Sequence, residues 1–168
     1  MSEIRQDPAT EEWVIMARER AKRPHDFMRQ QAKPEQPAFS RSCPFCPGNE
    51  AMTQPETLSY RDEKTGSWRV RVFTNRFPAL TPEGSTKRRE EEGFFLGMDG
   101  VGVHEVIVET PEHNRPLALM EDDGIEEVLR AYQERYNALS RLPFVRLLII
   151  FKNQGPSAGT SLEHPHSQ

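Results

Sequence analysis

Apolar residues recur along this chain with two different periods. Residues 12–17, EWVIMA, form a short apolar run that is partly β-branched, which predicts a strand. Residues 57–61 and 67–74 flank the turn sequence DEKTG. In SWRVRVFT, Trp68, Val70 and Val72 alternate with Ser67, Arg69 and Arg71, so the two segments predict a hairpin. GVHEVIVE at 102–109 alternates again, with His104, Val106 and Val108 on one face. From 122 the period lengthens. Ile125, Val128, Leu129, Tyr132, Tyr136 and Leu139 recur at steps of three and four, the stripe of an amphipathic helix. Asp123 is placed to cap it, with Glu126 three residues on in capping-box spacing, and Pro143 closes it. VRLLIIF at 145–151 is strongly apolar and predicts a strand at the centre of its sheet.

The segments between these elements read as loops. RERAKRPHDF is basic and stopped by Pro24, and residues 28–42 are rich in Pro, Gln and Lys with little periodicity. CPFCPGNE is a knuckle, stiffened by Pro44 and Pro47 and turned at Gly48. Residues 82–100 are charged and Gly-rich, which predicts a mobile loop. Strands outnumber helices and neighbouring strands are joined as hairpins. The expected class is therefore α+β, with a mostly antiparallel sheet and one long helix.

Composition narrows the functional classes. A length of 168 residues suits one domain, while 35% hydrophobic residues and 14 prolines imply long loops and a polar surface. A net charge of −4 gives no general attraction to nucleic acid or to a membrane surface. No apolar run approaches the roughly 20 residues that span a bilayer, and the N-terminus lacks the basic-then-apolar order of a secretory signal. A cytoplasmic protein is expected.

Candidate chemistry gathers at two places. The chain's two cysteines, Cys43 and Cys46, stand in CxxC spacing. A redox pair of this spacing belongs at a helix N-terminus in a βαβ setting, whereas these flanks are Pro-rich loop, so zinc is the better reading. Two further ligands are then needed, and His25, His104, His113, His164 and His166 are all candidates. The second place is EHPHSQ at 163–168. The residue before a proline favours extended backbone, and residues i and i+2 of a strand share a face. His164 and His166 therefore lie side by side, and one can hold a metal while the other does chemistry. A neutral imidazole is a nucleophile near pH 7, and a phosphorylated histidine passes its group onward. The preceding loop, with Gly155, Gly159, Thr160 and Ser161, offers N–H and hydroxyl groups to a phosphate. Arg18, Arg20, Lys22 and Arg23 form a basic stretch whose arginines suit phosphate. The plain alternatives are free thiols, scattered surface histidines, a solvated turn and an ordinary tail.

FKNQGPSAGTSLEHPHSQ resembles the active-site segment of galactose-1-phosphate uridylyltransferases, a branch of the histidine-triad superfamily. DPATEEWVIMARERAKRP, CPFCPGNE, VFTNRFPAL and HEVIVETPEHNRPL resemble that family's other N-terminal blocks, in order. The resemblance spans essentially the whole chain. It implies a histidine-triad-like half-barrel and zinc held by Cys43, Cys46, His113 and His164. It makes His166 the nucleophile and Gln168 the residue that hydrogen-bonds the transferred phosphoryl group. Arg20, Arg23, Asn75, Asn153, Gly159 and Ser161 match substrate-contact positions. The implied reaction is ping-pong transfer of UMP between a nucleotide sugar and a sugar 1-phosphate. The family enzyme has two related halves and works as a homodimer, so residues 1–168 are expected to be an N-terminal half. Ser167 stands where common bacterial members carry Gly, and Arg76 where they carry an acidic residue. In these respects the chain looks closer to relatives that phosphorolyse ADP-glucose, and a zinc-stabilised module that binds nucleotide without catalysis is the other alternative.

Overall fold

A computed structural model describes residues 2–18, 20, 36–155, 158, 160 and 162–168. Its strands are β1 (Glu3–Gln6), β2 (Trp13–Met16), β3 (Glu56–Arg61), β4 (Trp68–Thr74), β5 (Arg89–Glu91), β6 (Phe95–Asp99), β7 (Glu105–Val108) and β8 (His166–Ser167), with one α-helix, α1 (Asp122–Leu139). They form two four-stranded antiparallel sheets, ordered β2-β1-β6-β5 and β3-β4-β7-β8. The expected α+β class holds, and neither sheet is a closed barrel.

The second sheet carries the core. The turn between β3 and β4 is built on Asp62, whose Oδ1 accepts from the backbone N–H groups of Lys64 and Thr65 at 3.0 and 2.8 Å. Gly66 leaves the turn at φ +70°, a conformation that penalises any Cβ. On one face of the sheet, Val70, Val72 and Ile107 pack with Val128 and Ala131 of α1. On the other face, Trp68, Phe73, Val106 and Val108 pack with Cys43, Phe45 and Cys46 of the knuckle. The sheet is thus a partition between the helix and the knuckle. Arg71, on the knuckle side, is 1% exposed. It donates to Glu56 Oε1 at 2.7 Å and Thr53 Oγ1 at 3.0 Å, and lies over the Trp68 and Phe73 rings. A strand position that reads as solvent-facing is therefore a buried cation, tolerated because a carboxylate and two aromatic faces surround it.

Several expectations require correction. Helix α1 starts two residues earlier than the capping-box reading. Glu121 occupies the N-cap without a side-chain cap bond, and Asp122 and Asp123 lie in the first turn, where carboxylates complement the helix dipole. Leu129 and Tyr136 of the apolar stripe are exposed. Helix α1 is instead held down by Val128 and Ala131 and by the ion pair of Arg135 with Glu105 on β7. Residues 82–100 are not one loop: they contain β5 and β6, which pair with each other and with β1. Strand β1 itself has no counterpart in the apolar pattern. Residues 145–150 form no strand, and Leu147, Ile149, Ile150 and Phe151 are exposed rather than central. Among the described residues only Phe151 is paired: it exchanges two backbone hydrogen bonds with Gln168, 2.9 Å each, beyond β8. Among the described residues no helix is long and apolar enough to cross a membrane.

Candidate active site

The knuckle is a succession of tight turns. Cys43 N–H donates to Ser40 O, Cys46 N–H to Cys43 O and Asn49 N–H to Cys46 O, each at 3.2 Å. The Asn49 side chain clamps the turn by donating to Cys43 O at 2.7 Å. Both sulfurs accept backbone hydrogen bonds, Cys43 Sγ from Phe45 N–H at 3.4 Å and Cys46 Sγ from Ser40 N–H at 3.3 Å. Each contact points the positive end of an N–H dipole at a sulfur.

Two histidines complete the group. His113 follows β7 and is tied by its N–H to Ala38 O at 2.9 Å. His164 precedes β8, and its Nε2 lies 2.7 Å from Thr110 O. A carbonyl can only accept, so Nε2 carries the proton and the Nδ1 lone pair faces the sulfurs. His164 Nδ1 is 3.7 Å from Cys43 Sγ and 3.6 Å from Cys46 Sγ, and His113 Nδ1 is 3.4 Å from Cys46 Sγ. All four donor atoms lie within 4.8 Å of one another, and all four residues are buried. Tetrahedral zinc, with bonds of about 2.3 Å to sulfur and 2.0–2.1 Å to nitrogen, sets its ligands roughly 3.3–3.8 Å apart. The donor set and its spacing therefore suit a metal ion. Burial acts on the two kinds of donor in different ways. Burial pushes His164 down to about 4, keeping the imidazole neutral, and burial beside Cys46 pushes the Cys43 thiol up to about 11. A bound cation would reverse the second effect and release the thiol proton.

Beside this group lies His166. Strand β8 is short but held on β7, with Val108 opposite His166 and Ile107 opposite Ser167. Alternation sends His164 and His166 to the knuckle face, where the Phe45 ring meets both edge-on, at 6.1 and 5.2 Å between centroids. His166 Nδ1 is 2.8 Å from His164 O. That carbonyl again fixes the tautomer: Nδ1 carries the proton, and the neutral ring holds its lone pair on Nε2. Ser167 points the other way, toward α1. There the buried Glu109 carboxylate accepts from Ser167 Oγ and Lys152 Nζ, and from the Tyr132 hydroxyl at 3.2 Å. Burial pushes the Tyr132 phenol up to about 12, so it stays a donor.

The remaining candidates divide. Gln168 Oε1 lies 2.8 Å from His104 Nε2 and 3.4 Å from Asn75 Nδ2. His104, left open as a metal ligand, is thus a partner of Gln168 and not of the thiols. Its place on the Val106 and Val108 face was readable, but its partner was not. Arg20 donates to Phe77 O at 3.1 Å, beside Asn75 in the 75–80 loop. Asn153 is exposed. Arg23, Gly159, Ser161 and His25 lie outside the described residues.

A sequence profile described as galactose-1-phosphate uridyl transferase, N-terminal domain, matches residues 1–168. The chain belongs to the galactose-1-phosphate uridylyltransferase family. Among its relatives is an ADP-glucose phosphorylase of Arabidopsis thaliana, 39% identical over 99% of this chain and 47% of the relative. A galactose-1-phosphate uridylyltransferase of Thermotoga maritima is 34% identical over 100% of this chain and 46% of its own length. The chain thus spans about half the length of these relatives. The crystal structure of an Arabidopsis thaliana ADP-glucose phosphorylase with bound ADP-glucose superposes with a TM-score of 0.64, at 34% identity over 99% of this chain and 47% of that one. A mutant uridylyltransferase structure superposes at 0.68, with 27% identity over 98% and 43%. These relatives support nucleotidyltransferase or phosphorylase chemistry for the family.

Proposed function

We propose that residues 1–168 are the N-terminal half of an enzyme that moves a nucleotidyl group between phosphates through a covalent bond to His166. The observation that carries this reading is the hydrogen bond from His166 Nδ1–H to His164 O. It leaves Nε2 as the nucleophilic nitrogen of a neutral ring held by a rigid backbone group. In the first half-reaction Nε2 attacks the α-phosphorus of a nucleoside diphosphate hexose. The bond to the bridging oxygen breaks and hexose 1-phosphate leaves with the electron pair. In the second, a phosphate oxygen of the acceptor attacks the same phosphorus and the Nε2–phosphorus bond breaks. On forming the Nε2–phosphorus bond the ring becomes cationic, and its Nδ1–H bond to His164 O strengthens as charge develops. Gln168 donates to the transferred phosphoryl group.

Cys43, Cys46, His113 and His164 would hold zinc. The ion's contribution is structural: it ties the knuckle to the segment that carries His166 and needs no open coordination position. Reduced thiols fit a protein of the cytoplasm. The substrates are a nucleotide sugar and a sugar 1-phosphate, and the reaction read from the sequence is UMP transfer between UDP-hexose and hexose 1-phosphate. A second reading, adenylyl transfer from ADP-glucose to phosphate, is favoured by Ser167 and by the 39% identity to an ADP-glucose phosphorylase. The exposed apolar residues Leu147, Ile149, Ile150 and Phe151 are a surface for the other half of the protein to cover. A homodimer is the expected assembly.

The test is isotope exchange in the full-length protein. Ping-pong chemistry predicts that labelled glucose 1-phosphate enters UDP-glucose or ADP-glucose with no acceptor present, and the nucleotide that exchanges names the base. Absence of exchange with both nucleotides, while net turnover proceeds, contradicts the covalent route.

A further inference from the structure

Gln168 can serve a transferring phosphoryl group only if its NH2, and not its oxygen, faces that group. A glutamine amide has no intrinsic preference between these two orientations, so something must set it. The hydrogen-bond chain around it starts from two backbone N–H groups. Ala79 N–H donates to His104 Nδ1 at 2.8 Å. A backbone N–H can only donate, so Nδ1 is bare and the neutral ring carries its proton on Nε2, 2.8 Å from Gln168 Oε1. Phe77 N–H donates to Asn75 Oδ1 at 2.9 Å. That fixes the Asn75 amide with its NH2 toward Gln168 Oε1, at 3.4 Å. Asn75 Nδ2 and His104 Nε2 approach each other to 3.3 Å. With both as donors this is the separation of two groups sharing one oxygen. The reverse assignment, with His104 Nε2 accepting, would put a proton on Nδ1 against the Ala79 N–H.

We infer that His104 is a positioning residue, set by the Ala79 N–H and assisted by Asn75, that locks the Gln168 amide with its NH2 turned toward the phosphoryl group carried by His166. The inference rests on the covalent-histidine reading for its consequence, but not for the hydrogen-bond pattern itself. Geometry agrees with the role. Asn75 N–H donates to His104 O at 2.8 Å, so the two donors are adjacent across extended backbone. The backbone of Gln168 is pinned separately by its two bonds to Phe151. Only the side-chain torsion of Gln168 is left to be chosen, and the donors choose it. A carboxylate at position 104 would choose the opposite orientation, turning Oε1 toward the phosphoryl oxygens.

The experiment has a kinetic and a spectroscopic arm, both on the full-length protein. The first measures the single-turnover rate of nucleotidyl-histidine formation with UDP-glucose or ADP-glucose. His104→Glu should slow it by about 10²–10³-fold, the range for losing an oxyanion donor, whereas His104→Gln, which restores an N–H donor, stays within roughly 10-fold. In the Gln168→Ala background His104→Glu should cost less than about 3-fold more, because the group it orients is gone. An undiminished cost there, or a His104→Glu rate within about 3-fold of the parent, overturns the inference. The second arm reads ring protonation in the parent protein by long-range 1H–15N correlation. His104 must be the Nε2–H tautomer, and an Nδ1–H signal overturns the inference without any substrate. If the parent protein takes no nucleotidyl label, the covalent reading fails while the tautomer still decides what His104 does.

Discussion

Replacing Glu109 by alanine strikes the joint between the catalytic strand and the helix. The Glu109 carboxylate is fully buried and receives three donors, from β8 (Ser167), α1 (Tyr132) and the segment after 145–151 (Lys152). Breaking a buried ion pair by removing one partner costs about 3–5 kcal/mol. Two features lower that figure here. The Lys152 side chain is 21% exposed, so its ammonium recovers some water. Ser167 Oγ and the Tyr132 hydroxyl, 2.6 Å apart, can hydrogen-bond each other once the carboxylate is gone. The expected loss is therefore about 2–4 kcal/mol. At about 2–4 °C per kcal/mol for a chain of 150–250 residues, this predicts a thermal midpoint lowered by roughly 4–16 °C. Differential scanning calorimetry of the parent protein and of Glu109→Ala, at equal concentration and metal loading, measures it. Glu109→Gln keeps the shape and one acceptor oxygen, so its loss should be about half as large. A midpoint within 1 °C of the parent for Glu109→Ala would refute the view that this carboxylate joins the three segments.

Other outcomes follow from the metal group and its burial. Cys46→Ser removes the sulfur that contacts both histidines. At about 10–16 kcal/mol for four ligands in small zinc domains, one lost ligand weakens binding by roughly 10²–10³-fold. Competition with a chromogenic chelator measures this, and unchanged affinity would place the metal elsewhere. His164 is neutral and held at about 4 by burial, against an unfolded value near 6.5. Between those values the unfolded chain binds the proton and the folded chain does not. Its contribution to stability is therefore complete above about pH 6.5 and is lost as pH falls toward 4. The total is about 3 kcal/mol at ~1.4 kcal/mol per unit. Urea midpoints of metal-free protein across this interval should fall, and a His164→Leu variant should flatten that limb. Equal slopes in the two proteins would contradict the burial argument.

What the sequence disclosed follows from where each signal is stored. Helix α1 and the β3–β4 hairpin were legible because their periodicity records which face is covered. Strands β5 and β6 were hidden because they lie in the sheet that is largely exposed, where REE and FLGMD alternate nothing. The run at 145–151 misled for the opposite reason. Apolarity records that a surface is to be covered, not by what, and within these residues only Phe151 finds a strand partner. The CxxC spacing named two of the four metal-group residues, and the His-x-His spacing left open which of His164 and His166 joins them until the family resemblance selected His164. His113 was one histidine among several until the family resemblance selected it, because its approach to Cys46 is a tertiary contact across 67 residues. The role of His104 could not be read at all, since it depends on which ring nitrogen meets Ala79 N–H.

The central claim is that His166 Nε2 carries the nucleotidyl group. Incubating the full-length protein with UDP-glucose and, separately, with ADP-glucose, then quenching in base and mapping the modified peptide by mass spectrometry, tests it most directly. The account predicts a nucleotidyl adduct on His166, lost in His166→Gly while zinc content is kept. An adduct on any other residue, or one that persists in His166→Gly, would contradict it.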